Sequence, residues 1–159
     1  MTIYRMNLNT IKTGDLIVRE KGPFSTHFMV YIGMENGNHI VAENQNGFGV
    51  RYVNLIEALN GNSIKRLENF VGTESERSLV IPRINILLGK GYDLIAFNCE
   101  HFARLISNGK TYSRQVKLTS SLAVIAGVTM FSSKNEMVKF VGIVSILLGV
   151  ISQALQQQK

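Results

Sequence analysis

The sequence has a single cysteine, which excludes a disulfide-stabilised scaffold and favours a reducing compartment or a reactive thiol. It has no CxxC pair and no Cys/His cluster at metal-ligand spacing, so it predicts neither a zinc site nor a cofactor. Charged residues are also scarce, at 18% of 159 residues against roughly 25% in an average soluble domain. The apolar share of 45% excludes an intrinsically disordered chain.

The N-terminus lacks the features of a secretory signal. Residues 1–15 hold no apolar core of signal-peptide length and no small-residue cleavage site. The sequence therefore predicts an intracellular protein.

The excess positive charge lies in the C-terminal third of the chain. Residues 1–103 hold ten Lys/Arg and ten Asp/Glu, whereas residues 104–159 hold seven Lys/Arg and one Glu. Because this basic stretch is also the most apolar, it favours contact with an anionic membrane surface. It has few aromatic side chains that could stack on bases, so no nucleic-acid partner is expected.

The first hundred residues alternate short strand-like runs with turn signals, which predicts a small antiparallel sheet. The Asn36-Gly37 pair is typical of a tight hairpin turn. Helix signals follow: Ser75 is a candidate N-cap, while Asn98 and Gly109 are candidate caps at the two ends of a later helix. The predicted fold class is α+β, a sheet packed by helices. Strand-like runs occupy residues 14–18, 27–32, 39–43, 50–53 and 64–67.

Two uncharged, mostly apolar segments close the chain, at residues 118–133 and 140–158. Spanning a bilayer takes about 20 apolar residues, a length that the second segment reaches only marginally. Neither segment shows the polar stripe of a helix that lies on a soluble core, which favours a membrane anchor. The alternative is a pair of helices packed on the sheet or on another subunit. We therefore predict a domain over residues 1–117 and an anchoring segment over residues 118–159.

Cys99 directly follows the candidate cap Asn98, which places it in the first turn of the predicted helix. Free backbone N–H groups and the helix dipole there favour a thiolate, although a buried structural cysteine is the alternative. A thiolate nucleophile needs a partner imidazole, for which His27, His39 and His101 are the candidates. His101 follows Cys99 by two residues and so points to another face, which favours a packing or capping role.

Six short motifs occur in order along the chain, namely Gly14–Ile17, His27–Gly33, Gly49–Leu55, Gly91–Leu94, Asn98–Ala103 and Ser113–Val116. In these motifs the chain resembles the lecithin:retinol acyltransferase-like group, which includes the H-Ras-like-suppressor phospholipase/acyltransferases and belongs to the permuted papain-like (NlpC-type) thiol enzymes. The resemblance covers residues 12–117, and the family also places an apolar, membrane-anchoring segment after the last motif.

The resemblance implies that Cys99 is the acyl-accepting nucleophile and His27 its base. The family's third residue is a second histidine, and His39 has the usual twelve-residue spacing from His27. Alignment of the strands instead places Glu43 there, with a longer turn over residues 34–38 to absorb the offset. We favour Glu43, because a hairpin aligns by its strands and a carboxylate can orient an imidazole.

The resemblance further implies acyl transfer or hydrolysis through a cysteine thioester. The expected partners are a lipid acyl donor and a small acceptor or water, at the cytoplasmic face of a membrane. Two other functions stay open. One is a peptidase or amidase of the same fold, and the other is a non-catalytic membrane-interaction protein.

Overall fold

The computed structural model describes residues 8–22, 25–109, 114–131 and 133–157. The chain divides into two compact units, residues 1–111 and 112–159. Parts of the sequence prediction lie outside the described residues, namely Lys110, Ser113 and the side chains of residues 114–116.

The first unit is built on a five-stranded antiparallel sheet with the strand order β4-β3-β2-β1-β5. Strands β1 to β4 follow one another across the sheet, and β5 returns to pair with β1 at the opposite edge. The predicted α+β class with an antiparallel sheet is therefore confirmed. The strands are β1 (Leu16–Gly22), β2 (Ser25–Glu35), β3 (Asn38–Gln45), β4 (Gly49–Asn54) and β5 (Ile64–Glu68).

The described residues also form a 3-10 turn at Leu8–Thr10 and six α-helices. The predicted cap at Ser75 is wrong by two residues. Thr73 caps that helix, because its hydroxyl accepts from the Glu76 N–H while the Glu76 carboxylate accepts from the Thr73 N–H. The helices are α1 (Leu55–Leu59), α2 (Glu74–Arg77), α3 (Val80–Leu87), α4 (Cys99–Asn108), α5 (Arg114–Phe131) and α6 (Glu136–Gln157).

Two hydrophobic cores form because successive residues of a strand point to opposite faces of the sheet. On β1, Leu16 belongs to the first core and Ile17 to the second. Helix α4 contributes Phe102 and Ile106 to the first core. Helix α1 contributes Leu55 to the second. The first core therefore fixes α4 on the sheet.

The β2–β3 hairpin sets the register of the candidate site. Its turn is two residues long, with Asn36 and Gly37 both at positive φ (49° and 80°), as a type I′ turn requires. Further along, the pairing shifts by one residue between Tyr31 and Gly33, which is a β-bulge. The sequence prediction of a longer turn over residues 34–38 is therefore wrong. The extra residue lies in the bulge.

The second unit is an antiparallel pair of helices, α5 and α6, that pack closely through small residues. A Cβ added to Gly142 would lie only 2.8 Å from the carbonyl oxygen of Gly127, so only glycine allows this approach. The hydroxyls of Ser120 and Ser152, 2.8 Å apart, join the two helices by a buried hydrogen bond. Large apolar side chains nevertheless remain exposed on both helices, among them Leu118, Leu122, Ile125, Phe140, Leu147 and Leu148.

Among the described residues, one helix is long and apolar enough to cross a membrane, over the 20 residues Glu136–Leu155 of α6. At about 1.5 Å per residue, this length corresponds to about 30 Å, the thickness of a bilayer's hydrocarbon core. Helix α5 is apolar over a shorter stretch, Lys117–Phe131.

Candidate active site

Helix α4 begins at Cys99 because Asn98 caps it. The Oδ1 atom of Asn98 accepts from the backbone N–H groups of Glu100 and His101, both at 3.0 Å. In return, Nδ1 of His101 accepts from the Asn98 N–H at 3.3 Å. This capping box fixes Cys99 as the first residue of the helix, where the positive end of the dipole favours an anion. His101 is therefore a capping residue, as the sequence predicts.

Cys99 is a free, buried cysteine next to strand β2. Its Sγ lies 3.9 Å from the carbonyl oxygen of Thr26. Burial alone would raise the pKa of the thiol. The neighbouring His27 imidazole, the Phe28 backbone amide and the charge of Lys21 outweigh burial and lower the pKa of Cys99 below its ordinary value. The site therefore favours a thiolate.

His27 and Glu43 form a buried pair across strands β2 and β3. Nε2 of His27 lies 2.7 Å from Oε2 of Glu43, and each residue is only 1% exposed. Glu43 pairs in register with Met29, so it is the diagonal neighbour of His27 on the same face of the sheet. Because an ionised carboxylate can only accept hydrogen bonds, Nε2 of His27 carries the hydrogen.

The second ring nitrogen of His27, Nδ1, is buried and makes no hydrogen bond within the described part of the chain. It is therefore open to the thiol of Cys99. Burial lowers the pKa of His27, but its interactions with Cys99 and Glu43 outweigh burial and raise it above its ordinary value. Burial raises the pKa of Glu43, but His27 and Arg51 outweigh burial and lower it. The three shifts together favour a thiolate, an imidazolium and a carboxylate.

Arg19 and Arg51 add positive charge to the site, and neither was predicted from the sequence. Arg51 lies opposite Glu43 on β4, and its Nε and Nη2 donate to Oε1 of Glu43 at 3.0 and 2.8 Å. Arg19 lies opposite His27 on β1 and is 4% exposed. Burial lowers the pKa of Arg19, while the negative charges of Glu43 and Cys99 act to raise it. The sequence signal that could have identified them is a charged residue at a strand position whose side chain faces the core.

His39 lies far from this group. It pairs with Met34 near the hairpin turn, and its Nδ1 lies 3.0 Å from the hydroxyl oxygen of Tyr31. Met34 is seven positions beyond His27 on β2, which corresponds to roughly 23 Å of strand. The structure thus brings Cys99, His27 and Glu43 together and places His39 elsewhere.

The arrangement of Cys99, His27 and Glu43 is suited to nucleophilic chemistry. It has a thiol of lowered pKa at a helix N-terminus, an imidazole beside it, and a carboxylate that orients the imidazole. Within residues 8–22, 25–109, 114–131 and 133–157, no group of three or more His, Cys, Asp or Glu side chains is placed to hold a metal ion.

Comparison with known proteins adds one match. The family model described as "Lecithin retinol acyltransferase" matches residues 9–112, which include the sheet, helix α4 and the side chains of the candidate active site. No curated protein matches the chain.

Proposed function

Because the chain belongs to the lecithin retinol acyltransferase family, we propose that it transfers or hydrolyses acyl groups through a thioester on Cys99. Membership of this family points to acyl transfer, and the arrangement around Cys99 supplies the groups that such a reaction needs. One observation supports the proposal most directly. The buried carboxylate of Glu43 contacts His27 and orients it beside a thiol of lowered pKa.

In the first half of the proposed reaction, the Cys99 thiolate attacks the carbonyl carbon of an ester and forms a tetrahedral oxyanion. The oxyanion collapses, the C–O bond to the alcohol breaks, and the His27 imidazolium gives its proton to the departing oxygen. The acyl group stays on Cys99 as a thioester. The backbone N–H of Cys99 at the start of α4 is the natural donor to the oxyanion.

In the second half, water or an acceptor amine or alcohol attacks the thioester. His27, now neutral, takes the proton of the attacking group, and the C–S bond breaks to return the Cys99 thiolate. Glu43 keeps the hydrogen of the neutral imidazole on Nε2, which leaves the lone pair of Nδ1 free to take that proton.

Trapping of the acyl-enzyme tests this proposal. Incubation with a short-chain diacyl phosphatidylcholine, followed by an acid quench, should add one acyl mass to the peptide that contains Cys99. Neutral hydroxylamine should remove this mass, because it cleaves thioesters readily. Peptide mass spectrometry measures both results.

Two outcomes would contradict the proposal. An acyl-enzyme that forms from a peptide amide and not from a lipid ester would assign the reaction to a peptidase or amidase. A chain that forms neither adduct would be a non-catalytic member of the family. The His39→Asn variant serves as the matched control, since it replaces a histidine outside the site and should form the adduct normally.

We further propose that the α5–α6 pair holds the protein at a membrane, so that lipid esters are the acyl donors. The span over Glu136–Leu155 has the length of the hydrocarbon core, and both helices expose large apolar side chains. The covalent link to the first unit would then raise the local concentration of lipid esters around Cys99.

A charge placed in α6 tests this anchor. The Leu147→Arg variant should bind vesicles much more weakly, because a charged side chain at the centre of a span costs about 3 kcal/mol. The matched control is Ile86→Arg on α3, a more exposed aliphatic residue of the first unit, which should bind as the wild type does. Flotation with vesicles at low and high salt measures both variants.

The salt series distinguishes insertion from surface attraction. Wild-type chain that floats with vesicles at high salt is inserted, since salt screens charges and leaves apolar insertion intact. Release of the wild type by salt alone, or a monodisperse chain in detergent-free buffer, would contradict the anchor.

A further inference from the structure

Four charged or titratable side chains form a row across strands β1 to β4. Arg19 and His27 are directly opposite in register, as are Glu43 and Arg51. His27 and Glu43 are diagonal neighbours that join the two pairs. By the alternation of each strand, all four lie on the face of the second core. The candidate site is therefore part of a longer charged row.

Arg51 is fixed within this row by three neighbours. Its Nε and Nη2 both donate to Oε1 of Glu43, at 3.0 and 2.8 Å. Its Nη1 donates to Oε1 of Glu57 at 3.1 Å, and its guanidinium carbon lies 4.4 Å from the centre of the Phe48 ring. A guanidinium held on two sides and stacked on a ring has little freedom to move away from Glu43.

The two oxygens of Glu43 have different partners. Oε1 accepts only from Arg51 and Oε2 faces His27, among the contacts of the described residues. Glu43 is 1% exposed, so solvent reaches neither oxygen while both partners are in place, and a buried oxygen left unpaired would favour protonation of the carboxyl. The ionised state and the orientation of this carboxylate therefore both depend on Arg51.

We propose that Arg51 is a positioning residue of the reaction, which keeps Glu43 ionised and aimed at Nε2 of His27. The inference rests on the proposed function of Cys99, His27 and Glu43. Arg51 itself touches none of the reacting atoms, since Glu43 and His27 separate it from the thiol. The working site therefore consists of four residues in successive contact: Arg51, Glu43, His27 and Cys99.

The charges around Glu43 give the direction of the expected pH effect. Positive groups face Glu43 from β1 (Arg19), β2 (His27) and β4 (Arg51). Negative groups reach it only indirectly, Glu57 of α1 through Arg51 and Cys99 of α4 through His27. Burial raises the pKa of Glu43 and the charge of Arg51 lowers it, so loss of that charge should raise the pKa. Below that higher pKa the carboxyl is neutral and no longer stabilises the imidazolium.

The first measurement is the titration of Glu43 itself in the full chain. In the Arg51→Gln variant, the pKa of the Glu43 carboxyl should rise by about 1 to 3 units, the usual effect of one adjacent opposite charge. Carbon-13 NMR of labelled glutamate measures this pKa, with the Glu43 signal identified by its loss in Glu43→Gln. The Arg51→Lys variant keeps the charge and loses the two-point contact, so it should show a smaller rise.

The second measurement is the pH profile of turnover. In Arg51→Gln, the acid limb of kcat should move to higher pH together with the pKa of Glu43, while KM changes little. In the Glu43→Gln background, the same substitution should move no acid limb, because the carboxyl that titrates is gone. The matched control is Arg83→Gln, the same substitution on α3 outside the row, which should leave both measurements unchanged.

The inference fails if the pKa of Glu43 is unchanged in folded Arg51→Gln and Arg51→Lys, or if it rises while the acid limb stays in place. A wild-type chain without turnover would instead refute the proposed function. The inference would then be decided by the nitrogen-15 resonances of His27, which report its bond to Glu43 without turnover. These resonances should change in Arg51→Gln and stay unchanged in Arg83→Gln, and equal spectra in the wild type and both variants would overturn the inference.

Discussion

Replacement of Cys99 by alanine should abolish acyl transfer and leave the fold unchanged. The thiolate is the proposed nucleophile, and no second cysteine can take its place, since the chain has only one. The substitution removes a single sulfur atom from a site at the edge of the first core, so the loss of packing is small. Turnover of a soluble ester measures the activity, and thermal unfolding measures the fold.

Cys99→Ser is the control for size and polarity. A serine hydroxyl has the same shape, but its pKa is far above that of a thiol, so His27 cannot hold it ionised. This variant should also lose activity by orders of magnitude. Turnover that persists in folded Cys99→Ala would instead show that Cys99 is a structural residue and that the reaction occurs elsewhere.

The pH dependence of alkylation adds a test of the same thiol without substrate. The pKa of Cys99 is lowered and the pKa of His27 is raised, so the pair exists as thiolate and imidazolium to a greater extent than a free cysteine and a free histidine would. Iodoacetamide should therefore react rapidly below pH 8.5, the approximate pKa of a free cysteine, and slow only as the pH falls through the lowered pKa. A profile like that of a free thiol would contradict the thiolate.

Replacement of Glu43 by glutamine should lower kcat by about two to four orders of magnitude, as in catalytic triads that lose their carboxylate. Arg51 donates to one oxygen of Glu43, so the amide oxygen of the new side chain would stay with Arg51. Its NH2 group would then face Nε2 of His27 and favour the tautomer with hydrogen on Nδ1. That nitrogen would present a hydrogen, and not a lone pair, to the thiol. Steady-state kinetics measure the loss.

His39→Asn is the matched comparison, since it tests the other candidate for the third position. It removes the contact with the Tyr31 hydroxyl and should change kcat only slightly. The opposite ranking, with a severe loss in His39→Asn and a mild one in Glu43→Gln, would show that the twelve-residue spacing is the correct guide and that Glu43 has a structural role.

The local features of the fold could be predicted from the sequence because they depend on neighbouring residues. The Asn36-Gly37 turn follows from the ease with which these two residues adopt positive φ. The limits of α4 follow from Asn98, whose side chain caps the first N–H groups, and Gly109, which adopts the left-handed conformation at φ 66°. These caps place Cys99 in a first helical turn without any knowledge of distant contacts.

The grouping of the site residues required the tertiary structure, because it depends on strand register. A single extra residue in the bulge between Tyr31 and Gly33 shifts the pairing and brings Glu43, four residues beyond His39, diagonal to His27. Residue counting along the chain cannot locate such a bulge. The sequence could therefore favour Glu43 over His39 by strand alignment, but it placed the extra residue in the turn and not in the bulge.

The sequence by itself determined the α+β class, the hairpin turn, the caps of the Cys99 helix and the apolar character of the C-terminal segments. Each of these depends on the properties of a few adjacent residues. Only the tertiary structure decided that Arg51 and Glu43 are partners, and that His39 lies beside Tyr31 at the other end of the hairpin. The physical reason is that a buried charge is tolerated only with a partner, and that partner lies on another strand.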